Sequence, residues 1–288
     1  MPELPEVEAL VKDLSRRLEG RAVVRVDIAA FSCLKTYDPP ISALAGGLID
    51  GVARHGKFLD LDIGGTHLVI HLALAGWVRW RDELPEAPPR PSNKSPLAAR
   101  IVLDDGSGLD ITEAGTRKGL ALYVVRDPHD VEGIARLGPD PMADAFTLEV
   151  FADILRSAGR AQIKGVLRQQ SVIAGIGNAY SDEVLHAARM SPFKPADSLT
   201  DDELMTLYSS IRTVLADAVA RADGLAASEL KREKKSNLAV HGRTGLPCPV
   251  CGDTVREVSF ADRSLQYCPT CQTGGKPLAD RRMSRLLK

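Results

Sequence analysis

Four cysteines, Cys248, Cys251, Cys268 and Cys271, stand near the end of a 288-residue chain in the pattern C-x2-C-x16-C-x2-C. Two close pairs separated by such a gap have the ligand spacing of a tetrahedral Zn²⁺ site. Each pair falls on a tight turn, PCPVCG and YCPTCQ, and the segment between them suits a β-hairpin with Arg263 at its tip. Four thiolates fill the tetrahedral shell and leave no position for a substrate, so the spacing predicts one structural zinc and not a hydrolytic metal. Disulfides are the alternative, and an intracellular setting disfavours them. The fifth cysteine, Cys33, has no partner motif and reads as an ordinary thiol.

A second chemistry is available at the other end, MPELPEVE. Removal of Met1 exposes Pro2 as a secondary amine. Such an amine is a nucleophile able to form an iminium with a sugar aldehyde, as lysines do with carbonyls. Glu3, next to it, can act as general acid or base. Many proteins begin Met-Pro-Glu, so by itself the string says little.

These groups need elements to hold them. Apolar residues Val7, Leu10, Val11, Leu14 and Leu18 recur at helical spacing between Pro5 and Gly20, which predicts an amphipathic helix. From residue 22 to 125 the segments AVVRVDI, KFLDLDI, THLVIHLAL, ARIVLDD, GLDIT and LALYVV have strand composition. Gly64–Gly65 and Asp105–Gly106 suit hairpin turns, and the close spacing suggests a sandwich or barrel. EAPPRPSNKSP reads as an exposed loop, and 126–146 as a linker region carrying RDPHD and LGPDP. Helical patterns follow over Thr147–Ala158, Ala161–Gln169, Ala179–Ala188 and Thr200–Ala222, the last opened by a Thr200/Glu203 capping box. A charged stretch, KREKKSN, then leads into the cysteines. The expected division is 1–130, a linker at 131–146, a helical domain at 147–237 and a zinc finger with basic tail at 238–288.

Composition is that of an ordinary globular protein, 44% hydrophobic and 26% charged. No apolar run is long enough for a membrane span, and the start lacks a basic, apolar leader, so the expected setting is the cytoplasm, or the nucleoid of a bacterium. Net charge is −1, but residues 228–288 hold twelve Lys and Arg against six Asp and Glu. A basic segment on a near-neutral chain is a footprint for phosphates, or a solvated tail.

The string MPELPEVE resembles the N-terminus of the formamidopyrimidine-DNA glycosylase and endonuclease VIII superfamily. Four further places agree in order: RHGKFL, IAGIGNAYSDEVL, HGRTGLPCPVCG and DRSLQYCPTCQ. The resemblance spans nearly the whole chain. It implies an α+β protein, with an N-terminal helix and β-sandwich, then a helix-two-turns-helix domain with a C-terminal zinc finger. It implies a bifunctional glycosylase and abasic-site lyase, a monomer acting on damaged double-stranded DNA. Pro2 would attack C1′ of a flipped nucleotide, Glu3 would serve as acid and base, and Glu6 would support them. Lys57, in the same catalytic group, would bind phosphate. Asn178, Arg263 and Lys164 would contact the DNA backbone. Leu74, where the family commonly has Met, and Arg117 would fill the hole left in the stack. Taken singly, Lys57 and Arg117 read as surface charges, Leu74 as core and Glu6 as a solvated helix acid.

Three departures bear on substrate choice. Lys118 stands where the guanine-specific branch has Phe; the segment between Gly224 and His241 is shorter than that branch's lesion-covering loop; and Gln169 replaces an acid. Together they lean toward a broader or endonuclease VIII-like range. Two competing readings are a non-catalytic binder of damaged DNA on the same scaffold, and a zinc-ribbon adaptor, which leaves the N-terminus unexplained.

Overall fold

The computed structural model describes residues 1–92, 94–260 and 264–279. The chain divides into two compact units, one of residues 1–137 with 222–231, the other of residues 138–221 with 232–288.

The first unit opens with α1 (Leu4–Leu18), whose apolar stripe is buried as its periodicity predicts. Eight strands follow: β1 (Val23–Ile28), β2 (Ile49–His55), β3 (Phe58–Ile63), β4 (Thr66–His71), β5 (Gly76–Arg81), β6 (Leu97–Leu103), β7 (Gly108–Glu113) and β8 (Ala121–Val125). They form two antiparallel four-stranded sheets, β1-β6-β7-β5 and β2-β3-β4-β8. Leu59, Leu61, Leu68 and Ile70 of one sheet share a core with Val78, Ile101, Leu109 and Ile111 of the other and with Val7, Leu10 and Leu14 of α1. Burial of such side chains, about 1.5–3 kcal/mol each, is the main favourable term. Ala222, Ala227 and Leu230 return to complete that core.

β2 and β5 carry no clean strand signal. Polar residues and Gly51 interrupt β2, and Arg79 and Arg81 stand on β5. Both are recruited by pairing, β2 with β3 and β5 with β7. The linker expectation also needs correction at its start. Glu132–Ala135 form a short helix, α2, and Val131 and Ile134 are buried against Val69 and Val125.

The second unit holds α3 (Leu148–Ala158), α4 (Ile163–Arg168), α5 (Asn178–Ala187) and α6 (Asp201–Ala222). Thr147 caps α3 by accepting from Val150 N–H, and the Thr200/Glu203 box is formed at the start of α6. KREKKSN is not a bare charged connection, because Leu230–Asn237 form a helix, α7. The hairpin of β9 (Arg256–Ser259) and β10 (Ser264–Tyr267) and the short α8 (Pro269–Thr273) complete the cysteine-bearing end.

Candidate active site and nucleic-acid interface

In the first unit, Pro2 is buried and Glu3 is the N-cap of α1, with extended backbone. Glu3 N–H donates to Glu6 Oε2 at 2.8 Å, one half of a capping box. Both carboxylates are almost fully buried, so Glu6 is not a solvated surface acid. The positive end of the helix dipole favours negative charge here.

Lys57 lies in the two-residue turn between β2 and β3, after Gly56 at φ +56°. It is 7% exposed rather than a free surface lysine. The hairpin is fastened to α1 by Arg54, whose Nε meets Glu8 Oε2 at 2.7 Å. His71 packs its ring against Phe58, and its pKa is lowered, first by burial and then by the Lys57 ammonium. Behind the turn, buried Asp60 lies within hydrogen-bond distance of His55 Nε2 (3.0 Å) and His67 Nδ1 (2.9 Å).

Leu74 is not core. It is 69% exposed on the tight connection from β4 to β5. Ala73 before it takes a left-handed φ of +50°, and Gly76 N–H closes the turn on Leu72 C=O at 2.8 Å. A Cβ on Gly76 would lie 2.1 Å from that oxygen, so only glycine fits. Arg117 is exposed in the loop after β7. The loop's far end is held by buried Glu113, whose Oε1 accepts from Gly119 N–H (2.7 Å) and Leu120 N–H (3.0 Å). Lys118 donates to the Glu113 carbonyl. Gly119 abuts Ala73, where an added Cβ would stand 3.3 Å from the Ala73 Cβ. The structure thus brings the Leu74 turn and the Arg117 loop together.

In the second unit, Asn178 is the first residue of α5, with Gly177 as its N-cap. Its Nδ2 donates to Ser264 C=O at 2.8 Å. Asn178, Lys164 and Arg168 line a cavity of about 100 Å³. Lys164 is buried, and its ammonium donates to Asp182 Oδ1 (2.6 Å), Ser181 Oγ (2.7 Å) and Asn178 C=O (3.2 Å). Its three protons therefore have partners within the unit. Gln169 Nε2 donates to Ser171 Oγ. Arg263 lies outside the described residues.

The four cysteine Sγ atoms all lie within 4.8 Å of one another, as a tetrahedral thiolate shell requires. Val240 and Val255 pack beside them. Burial pushes the Cys268 thiol up to about 11, so a cation is needed to hold this sulfur as a thiolate. The donor set fits one structural Zn²⁺. Helix α5 grips this end at three points. Asp182 Oδ2 meets His241 Nδ1 at 2.7 Å; Glu183 accepts from the N–H groups of Ala239, Val240 and His241; and His186 Nε2 lies 3.3 Å from Cys248 Sγ. None of these partners is legible locally, because each joins residues more than fifty positions apart. Cys33 is buried with its thiol pushed up to about 11, which makes it an inert core residue.

Comparisons with known proteins agree in order along the chain. Residues 1–118 match the formamidopyrimidine-DNA glycosylase N-terminal domain, 137–229 the H2TH domain of the same enzymes, and 245–274 the zinc finger found in these glycosylases and isoleucyl-tRNA synthetases. The formamidopyrimidine-DNA glycosylase of Symbiobacterium thermophilum is 38% identical over 94% of this chain and 89% of its own. A formamidopyrimidine-DNA glycosylase-like protein of Mycobacterium tuberculosis, described as uncharacterized, is 61% identical over 53% of this chain and 94% of its own. The Lactococcus lactis glycosylase in complex with abasic-site DNA superposes with a TM-score of 0.82, at 26% identity, covering 94% of this chain and 99% of that one. By its motifs, its fold and these relatives, the chain belongs to the formamidopyrimidine-DNA glycosylase family.

Proposed function

We propose that this protein is a bifunctional DNA glycosylase and abasic-site lyase that removes oxidised bases through the amine of Pro2. The observation carrying this reading is the buried Pro2-Glu3 pair at the head of α1, braced by the buried Glu6 carboxylate. Met1 is 44% exposed, and its removal would bare the Pro2 nitrogen.

The Pro2 nitrogen lone pair forms a bond to C1′, the bond to the damaged base breaks with its electrons on the base, and the proton lost from the nitrogen passes to the departing base. Glu3 protonates O4′ as the sugar ring opens, giving an iminium at C1′. The iminium acidifies the C2′ proton. A base removes it, a C1′–C2′ enamine forms, and the C3′–O bond breaks with its electrons on the departing phosphate. Loss of the 5′ phosphate in a second elimination would leave a one-nucleotide gap. Lys57 meets a phosphate of the damaged strand, and Leu74 and Arg117, on adjoining loops, occupy the place of the extruded nucleotide. Asn178, Arg263 and Lys164 belong to the backbone-gripping side in the second unit. When bound, zinc supplies folding energy and no chemical step.

The departures at Lys118, at Gln169 and over 224–241 favour a substrate range that includes oxidised pyrimidines, ring-opened purines and abasic sites. The deciding experiment is borohydride trapping of Met1-processed protein on abasic-site duplex, followed by a lesion panel. A covalent adduct absent from Pro2→Gly supports the mechanism. Tight lesion binding with no adduct leaves a non-catalytic damage binder. Best cleavage of 8-oxoguanine opposite cytosine overturns the substrate reading.

A further inference from the structure

A cavity of about 540 Å³ opens within the first unit, and its walls combine indoles with cations. Trp77 and Trp80 line it, together with Arg17, Arg79, Lys231, Arg81, which is paired with Asp110 at 3.0 Å, and one carboxylate, Asp13. These are the only two tryptophans of the chain. Trp77 is locked in place, because its Nε1–H donates to Ala227 C=O at 2.8 Å and the ring is buried. Lys231 Nζ sits 4.4 Å from the Trp77 ring centroid, and the Arg17 guanidinium lies 5.2 Å from that of Trp80.

The charge inside is unbalanced. Asp13 is already engaged by Arg17 at 3.1 Å and by Arg16 at 3.6 Å. Among the described residues, Arg79 and Lys231 line the same cavity with no carboxylate within ion-pair distance, and burial, followed by the Arg79 charge, lowers the Lys231 pKa. Two like charges lining one cavity are relieved by an anion between them. The volume exceeds what an inorganic ion fills, and planar apolar walls suit a nucleobase.

We propose that this cavity binds a nucleoside phosphate, Arg79 and Lys231 meeting the phosphate and the two indoles walling the base. The ligand is a free nucleotide or the phosphorylated end of a DNA strand, which share this chemistry. The site does not depend on Pro2 chemistry, and its test reads binding alone.

Because both tryptophans line the cavity, intrinsic fluorescence excited at the red edge reports on it directly. The zinc-loaded full chain is titrated with dAMP, deoxyadenosine, inorganic phosphate and a 5′-phosphorylated single-stranded pentanucleotide. A saturable change is expected with dAMP, and at least about tenfold weaker binding with deoxyadenosine or phosphate. Relative affinity for dAMP and the pentanucleotide distinguishes the two sources, and either order is compatible with the site. Arg79→Ala with Lys231→Ala, both at exposed positions, is expected to weaken dAMP about tenfold or more with an unchanged circular dichroism spectrum. Pro2→Gly is expected to leave dAMP binding unchanged while abolishing trapping. No saturable response to dAMP, equal affinity in the double variant, or inorganic phosphate binding as tightly as dAMP each overturns the proposal.

Discussion

His186 Nε2 lies 3.3 Å from Cys248 Sγ, so a side chain from the last turn of α5 reaches one of the four sulfurs of the zinc site. An N–H donor on a thiolate spreads its charge and fixes its direction. His186→Ala is expected to weaken zinc retention about 10–100-fold, the usual range for such supporting partners. Competition with a chromophoric chelator reads it. Zinc affinity equal to wild type would show that the imidazole only packs there.

The Lys164–Asp182 pair, at 2.6 Å with side chains 7% and 1% exposed, behaves as a buried ion pair. Removing one partner of such a pair costs about 3–5 kcal/mol. Lys164→Met is expected to lower the thermal unfolding temperature of the free protein clearly. If stability holds and only DNA affinity falls, the ammonium is a phosphate contact and not a structural one.

Leu74 and Gly76 share one turn but predict opposite outcomes. Leu74→Ala removes an exposed side chain and should shift stability by less than about 0.5 kcal/mol, while base excision drops about tenfold. Gly76→Ala drives a Cβ into the Leu72 carbonyl, and should destabilise by about 1–3 kcal/mol or more. Urea unfolding and single-turnover excision, measured on both, separate the stack-filling role proposed for Leu74 from the turn that holds it. An unstable Leu74→Ala protein would return this residue to the core.

His71 gives a pH signature. Its folded pKa is below the ordinary 6.5, so the unfolded chain takes up the proton first as pH falls. Its contribution is fully present above about 6.5 and is lost as pH falls from there toward the folded pKa. Lys57→Met should raise the His71 pKa but keep it under 6.5, because burial is the larger cause. NMR titration of the His71 ring checks this. Titration at or above 6.5 in the unaltered protein would refute the burial of His71 beside Phe58 and the influence of the Lys57 charge.

Residues with a strong local signature were legible in the sequence. The stripe of α1, the Gly64–Gly65 and Asp105–Gly106 turns and the cysteine pairs all carry their geometry in short spacings. β2 and β5 were not legible, because each is an edge strand recruited by pairing to one neighbour and carries no clean alternation of its own. α7 was hidden because seven of its eight residues, Lys231–Asn237, are charged or polar and give no apolar stripe. At the candidate site, Pro2, Glu3 and Lys57 rest on motif resemblance, whereas Arg54–Glu8 and His186 engage partners distant in sequence, and Glu113 partners beyond its own strand. The exposure of Leu74 depends on a left-handed alanine that no pattern announces.

The return of residues 222–231 to the first unit means that the polypeptide passes between units three times, at 137/138, 221/222 and 231/232. A single proteolytic cut after Leu137 therefore releases nothing. A gene fragment ending there would make a sandwich lacking Ala222, Ala227 and Leu230 from its interior, with the Trp77 indole N–H deprived of its acceptor. Half-proteins of this chain should be sticky and poorly soluble, and dissection must carry the returning segment along, for example by circular permutation.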